Sequence, residues 1–399
     1  MRLLTAFTGV IVLAIVLIDA FNTIVLARRT RHIFRIARLY YKTMWEPFAA
    51  VGRRIGSSRR REEFLAVFAP LSLLMLFVIW AFAMVFGFGL LQWAAGLRRS
   101  GGVETLGGDF LLSASSLFTL GTGDPENGLS RWIGVLEGGL GLAFLGLVVG
   151  YLPVFYQSFS SRELTITLLD ARAGSPPSAG ALLSAVSTSE HQIAQHLESW
   201  EQWTSGVLEN QLSYPMLAYF RSHHANQSWL TALVSIVDCA AVIAISGEGD
   251  LRRKAEFTLA MGRHVLSDMT ALFRLEKSFE VHRKNSEKRI VSADVSVLVK
   301  ILSGKPQFDV SLLTEQRLRE KSALYEAEAA ALGDYFLMTL PAWLPLKGSQ
   351  GDWRVPVTHR EDFPLSVSDP FAGVPADHPA DSGRYEVERD PLPHSGGRR

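Results

Sequence analysis

Cysteine is almost absent: Cys239 is the only one in 399 residues. No disulfide can close within the chain and no site built from several thiolates can form in it, so the lone thiol is expected as a small buried apolar residue. Histidines give no metal signature, because His191 with His196, and His223 with His224, lack the spacing of a helical metal pair. A phosphate-cradling glycine loop is missing as well. Gly247-Glu248-Gly249 has no third glycine and no alternating strands around it, which argues against a nucleotide-binding domain. No nucleophile and base stand out together. The expectation is no enzyme, no cofactor, no metal and no nucleic-acid partner.

What the chain has in excess is apolar surface. Hydrophobic residues make up 48% of it and its mean hydropathy is +0.16, more apolar than an ordinary soluble enzyme of this length. The net charge of +1 hides an asymmetry: residues 1–157 carry 15 Lys+Arg and 9 Asp+Glu, whereas residues 158–399 carry 25 and 30. Two regions of different character follow. Three apolar runs, 3–27, 64–95 and 132–156, are long enough to cross a hydrocarbon layer of ~30 Å as helices. The first is expected to be retained rather than cleaved, since its apolar core is long and Ala27-Arg28-Arg29 replaces a small-residue cleavage site. A fourth run, 229–246, is interrupted by Asp238 and is expected as a buried helix of a soluble domain.

The loop 28–63 holds 11 Lys+Arg against 3 Asp+Glu, while 97–130 holds two arginines. Positive residues stay in the cytoplasm, so the N-terminus is expected outside, the segment between the second and third spans on the outer side, and everything after about Ser158 in the cytoplasm. Within the loop Arg28, Arg31, Arg35, Arg38 and Lys42 recur every three or four residues. Ile33, Ile36, Ala37, Tyr40, Met44 and Phe48 share that period, which predicts a basic amphipathic helix lying on anionic lipid rather than a voltage sensor.

Between the second and third spans stands Asp109–Phe118, DFLLSASSLF, too short to cross and return as helix. It is followed by Thr119-Leu120-Gly121-Thr122-Gly123-Asp124. Backbone that stops at membrane depth must be buried in protein or line water. A span, a short re-entrant helix, Thr-x-Gly-x-Gly-Asp and a glycine-rich span together resemble the pore module of the potassium channel superfamily, over about residues 64–157. The resemblance implies that the carbonyls of Thr119, Leu120, Gly121 and Thr122, with the Thr119 hydroxyl, replace the hydration shell of a permeating K+ ion. It implies that Gly121 and Gly123 supply special backbone conformations, that Asp124 sits at the outer mouth, and that four copies assemble as a homotetramer. Thr122 stands where the family usually has an aromatic. Leu111, Leu112 and Ser115 stand near the places of its bracing residues, which leaves K+ over Na+ selectivity open.

The third span carries Gly134, Gly138, Gly139, Gly141, Gly146 and Gly150, then Pro153. Close helix packing is one reading; a gating hinge at Gly146, with Gly150 and Pro153 below it, is the other. Two acidic residues fall within spans: Glu137, placed to support the filter loop or to face water, and Asp19, whose face is expected to pack on the pore module.

After 158 the chain predicts helices at about 160–172, 181–211, 226–246, 250–285, 290–302 and 312–338. Leu182, Val186, Ile193, Leu197, Trp200, Val207 and Leu208 form a core stripe. Nine of 17 prolines lie in the last 59 residues, which predicts a disordered tail. Arginine outnumbers lysine 31 to 9, a compositional pointer to a GC-rich bacterial genome. The expectation is an all-α inner-membrane protein with three transmembrane helices, a re-entrant pore helix and filter loop, and a mainly α-helical cytoplasmic domain. Its divisions are 1–27, 28–63, 64–157, 158–340 and 341–399. The resemblance implies that it conducts K+ or other monovalent cations, and the cytoplasmic domain is expected as the place for an unknown ligand or protein. The competing reading is a non-conducting scaffold or signalling protein on a degenerate pore.

Overall fold

The computed structural model describes residues 1–25, 36–96, 105–121, 128–185, 189–223, 227–284 and 289–345. Within them the chain is helical and forms no strand beyond an isolated bridge between Gly247 and Phe308. The helices are α1 (Arg2–Ala20), α2 (Ile36–Arg54), α3 (Ser58–Ala95), α4 (Leu106–Leu117) and α5 (Gly128–Ala173), followed by α6 (Ala179–Ala185), α7 (Glu190–Ser213), α8 (Trp229–Ser246) and α9 (Gly249–Phe273). Four shorter ones follow among the described residues: α10 (Glu276–Lys284), α11 (Ser292–Leu302), α12 (Glu315–Ser322) and α13 (Glu326–Phe336). Among the described residues four helices are long and apolar enough to cross a membrane: Arg2–Ile24, Ser58–Ala95, Gly128–Ala173 and Trp229–Ser246.

Those four differ in what covers them. α8 is apolar all round and every one of its residues is buried, enclosed by α6, α7, α9, α12 and α13. Ser228 caps it by accepting from the Thr231 N–H at 3.0 Å. Its one charge, Asp238, is met by both terminal nitrogens of Arg289, at 2.7 and 3.1 Å, and by the Tyr325 hydroxyl at 2.6 Å. Arg289 also donates to Glu326 and to the Pro341 carbonyl and lies over the Trp343 ring. One partly buried arginine thus ties three segments of the domain to its central helix.

α5 runs for 46 residues, roughly 70 Å at 1.5 Å per residue. It passes through Pro153 and across residue 157, where a division was expected. The hydropathy drop after Tyr156 does not end the helix, because Tyr151, Phe155, Phe159, Ile166 and Leu169 keep one buried stripe at helical period. Elsewhere the expected 250–285 helix breaks at Arg274, a left-handed C-cap with φ 57°. The expected 181–211 and 312–338 helices each divide in two, and Val186 of the core stripe lies outside the described residues. So do the arginines at 28–35 and the segment 346–399.

The amphipathic reading of α2 is corrected in its orientation. Ala37, Tyr41, Trp45 and Ala49 are its buried stripe, while Met44 is exposed. That stripe packs on protein rather than facing outward: Tyr41 stacks on Tyr219, Phe48 on Phe64, and the Trp45 indole donates to the Tyr335 carbonyl at 2.9 Å. The physical cause is the aromatic face at 41 and 45, which finds a larger apolar partner in the segment Tyr214–Arg221 than a helix alone could offer. The same segment is held from α5 by Arg162, which donates to the Leu217 and Phe220 carbonyls at 2.8 and 3.1 Å. Arg221 pairs with Glu62 of α3 at 3.3 Å. The segment Tyr214–Arg221 is therefore a buried meeting point of α2, α3 and α5, beside the direct packing of α5 on α6, α7 and α8.

Candidate functional site

α4 starts where Thr105 accepts from the Gly108 N–H at 3.2 Å, with Asp109 in its first turn. A capping hydroxyl and an acidic first turn both suit the positive end of a helix. It stops after twelve residues. The Leu120 N–H reaches back to the Ser115 carbonyl at 2.8 Å and the Thr119 N–H to Ser116 at 3.1 Å, a paired closure that requires a left-handed residue. Thr119 takes that conformation with φ 57°, and Gly121 follows with φ 70°. Glycine adopts such angles freely; a β-branched threonine does so only when its surroundings impose it. Phe118 and Leu120 are 56% and 69% exposed, so the turn stands open on one side of the chain. Thr122, Gly123 and Asp124 lie outside the described residues.

The seat beneath this turn is made by glycines. A Cβ on Gly89 of α3 would fall less than 3.0 Å from the Phe110 ring, and one on Gly141 of α5 less than 3.0 Å from the Leu117 carbonyl. Gly138 and Gly134 admit the Ser116 carbonyl and hydroxyl, 3.4 and 3.6 Å from where their Cβ atoms would be. Of the span's glycines Gly141 thus serves close approach to α4, while Gly134 and Gly138 lie at ordinary contact distance from it. Gly146 and Gly150 do neither: no atom lies within 4 Å of a Cβ on either. With exposed Val135, Leu142 and Leu164 they share, at helical spacing, a face of α5 opposite the buried stripe, and the single chain leaves that face uncovered.

Polar side chains tie the three helices together behind the turn. Gln92 of α3 is hydrogen-bonded to the Ser130 hydroxyl and donates to its carbonyl at 3.3 Å. Ser113 of α4 lies 2.9 Å from the Val85 carbonyl and is bonded to Glu137 of α5. Glu137, Gln92, Ser113 and Ser130 are all fully buried, so Glu137 faces protein and not water. Ser115 and Leu112 are buried and Leu111 is 64% exposed. Sequence reading named Glu137 but missed Ser113, Gln92 and Ser130. The available signal was the stripe Ser130, Gly134, Glu137, Gly138, Gly141, small or polar at every third or fourth position of an apolar helix.

Asp19 packs on the same assembly from α1. Its carboxylate accepts from the Trp80 indole of α3 at 3.0 Å and from the Ala37 N–H at the start of α2 at 3.2 Å. An acid in an apolar run thus accepts from the first described turn of the next helix. Asp19→Ala should cost about 1–3 kcal/mol by leaving these buried donors unmet, with Asp19→Asn retaining part; thermal unfolding of the purified protein in detergent measures both.

No family model matches the chain, and none of the curated proteins or solved structures matches it.

Proposed function

We propose that this chain is the subunit of a homotetrameric, potassium-channel-like pore that conducts K+ passively across a bacterial inner membrane. In this reading α1, α3 and the first part of α5 are the three spans. α4 is the re-entrant helix, and Thr119 to Gly123 line the ion path with Asp124 at its mouth. The observation that carries it is α4 itself. At twelve residues it is about 18 Å long, too short to span, and its last turn delivers two left-handed residues onto a side of the molecule that the single chain leaves open. The uncovered face of α5 is where neighbouring copies and the aqueous path belong, and Gly146, Gly150 and Pro153 on it remain the proposed gate. The enclosure of α8 favours an odd number of spans, with the N-terminus outside and the helical domain in the cytoplasm. There exposed Arg53, Arg54, Arg59 and Arg60, at the corner between α2 and α3, would meet anionic lipid headgroups.

Ion flux through purified protein in liposomes tests the reading, with K+ and Na+ gradients compared for wild type and Gly121→Ala. K+-preferring flux lost at least tenfold in the variant is the expected result. Alanine at φ 70° carries backbone strain of about 1–3 kcal/mol at a carbonyl meant to face the ion. Equal K+ and Na+ flux would make the pore a non-selective cation pore. No flux from a confirmed tetramer would move the reading to a scaffold whose helical domain binds a partner.

A further inference from the structure

The Ser113 hydroxyl has one proton and two oxygens beside it. It lies 2.9 Å from the Val85 carbonyl and is also bonded to Oε1 of Glu137. A carbonyl can only accept, so the bond to Val85 uses the serine proton. Glu137 is 0% exposed, its second oxygen Oε2 has no hydrogen-bond partner, and no cation pairs with it among the described residues. The other ionisable side chains of α4 and the neighbouring part of α5 are Asp109, also an acid, and Arg131, which is exposed; α3 has none between Phe82 and Ala95. A bare carboxylate here is among the costliest groups a fold can bury. A carboxylic acid is not, because its O–H donates to a lone pair of Ser113.

We propose that Glu137 is the proton donor of a chain running Glu137 to Ser113 to Val85, and that it is a positioning residue for the Thr119–Gly121 turn. The proposal rests on the pore reading above and adds what holds its ion path in register. Glu137 lies on the ridge of α5 that also carries Gly134, Gly138 and Gly141, the residues against which the last turn of α4 is seated. Ser113 precedes Thr119 by six residues. Fixing Ser113 to α5 on one side and α3 on the other sets the rotation and depth of α4, and so the direction in which the turn presents its carbonyls.

Two measurements test this. The infrared spectrum of the purified oligomer at neutral pH should show a protonated-carboxyl band that Glu137→Gln removes and Ser113→Ala shifts. Absence of any difference would mean an ionised Glu137 and overturn the assignment. In liposomes, Glu137→Ala and Ser113→Ala should each lower the K+/Na+ flux ratio roughly tenfold, the worth of one buried hydrogen bond, and the double variant should be no worse than either. Glu137→Gln should recover most of the loss, since its amide donates to Ser113 without charge. Additive losses, a wild-type ratio in Ser113→Ala, or Glu137→Gln as impaired as Glu137→Ala would each overturn the positioning role. Should wild type carry no flux, the pore reading fails, and the infrared band alone decides whether Glu137 holds its proton.

Discussion

Arg289→Met should destabilise the helical domain by about 3–5 kcal/mol, the cost of leaving a buried charge without its partner. Asp238 is wholly enclosed within α8, and Arg289 supplies two of the three hydrogen bonds that reach it. Glu326, the Pro341 carbonyl and the Trp343 ring lose the same neighbour. Burial pushes the Asp238 carboxyl above its ordinary range, with the guanidinium opposing that rise. Without Arg289 nothing of equal strength opposes it. A carboxyl whose pKa is higher folded than unfolded favours folding at low pH and opposes it as pH rises through the folded value. The destabilisation should therefore be largest near neutral pH and shrink toward pH ~4, the ordinary aspartate value. Denaturant unfolding of wild type and variant across that range reads it; a pH-independent loss would assign the effect to packing on Trp343. The pair Asp238→Leu with Arg289→Met should recover part of the loss, although the Tyr325 hydroxyl then lacks its acceptor.

Gly141→Ala is expected to be the most disruptive small change in the α3–α4–α5 assembly, and Gly146→Ala one of the mildest. The two residues lie on the same helix five residues apart. At Gly141 a methyl group would meet the Leu117 backbone carbonyl at a separation real Cβ atoms do not show, and a backbone oxygen at a helix end cannot step aside as a side chain would. Separating α4 from α5 costs about 1–3 kcal/mol as overpacking, and more once the Ser113–Glu137 bond is stretched. The variant should unfold at lower temperature in detergent and, on the proposed pore reading, lose ion flux and assemble poorly on size-exclusion chromatography. At Gly146 the added methyl meets nothing within the chain, so the fold should hold or gain up to about 1 kcal/mol from helix propensity. If Gly146 is the proposed hinge, single-channel open probability changes while selectivity does not; unchanged opening removes it from the gate. Intact assembly and flux in Gly141→Ala would show that α4 is not seated as described.

The particular residues show where reading by sequence succeeds and where it stops. Asp238 marked Trp229–Ser246 as unlike the other apolar runs, and that helix is the one the fold encloses completely. Its partner was not legible, because Arg289 lies 51 residues away in a stretch with no pattern of its own. The glycines of α5 were visible as a group but not as two groups. Composition cannot separate a glycine that admits a neighbouring carbonyl from one that faces open space, since the difference lies in another helix. The end expected at residue 157 followed hydropathy, whereas the helix followed the period of its buried face.

Legible along the chain alone were the segments helical and apolar enough to cross a membrane, and a short helix between two long ones. These follow from local composition and period, which act within a few residues along the chain. Packing between helices was needed to bring the Ala37 N–H to Asp19, to turn the face of α2 onto protein, and to set Glu137 against Ser113. It also decided that the segment Tyr214–Arg221 meets α2, α3 and α5 together. Each of those depends on groups from separate helices meeting at van der Waals distance, and a buried polar atom finds its partner by packing, whatever the distance along the chain.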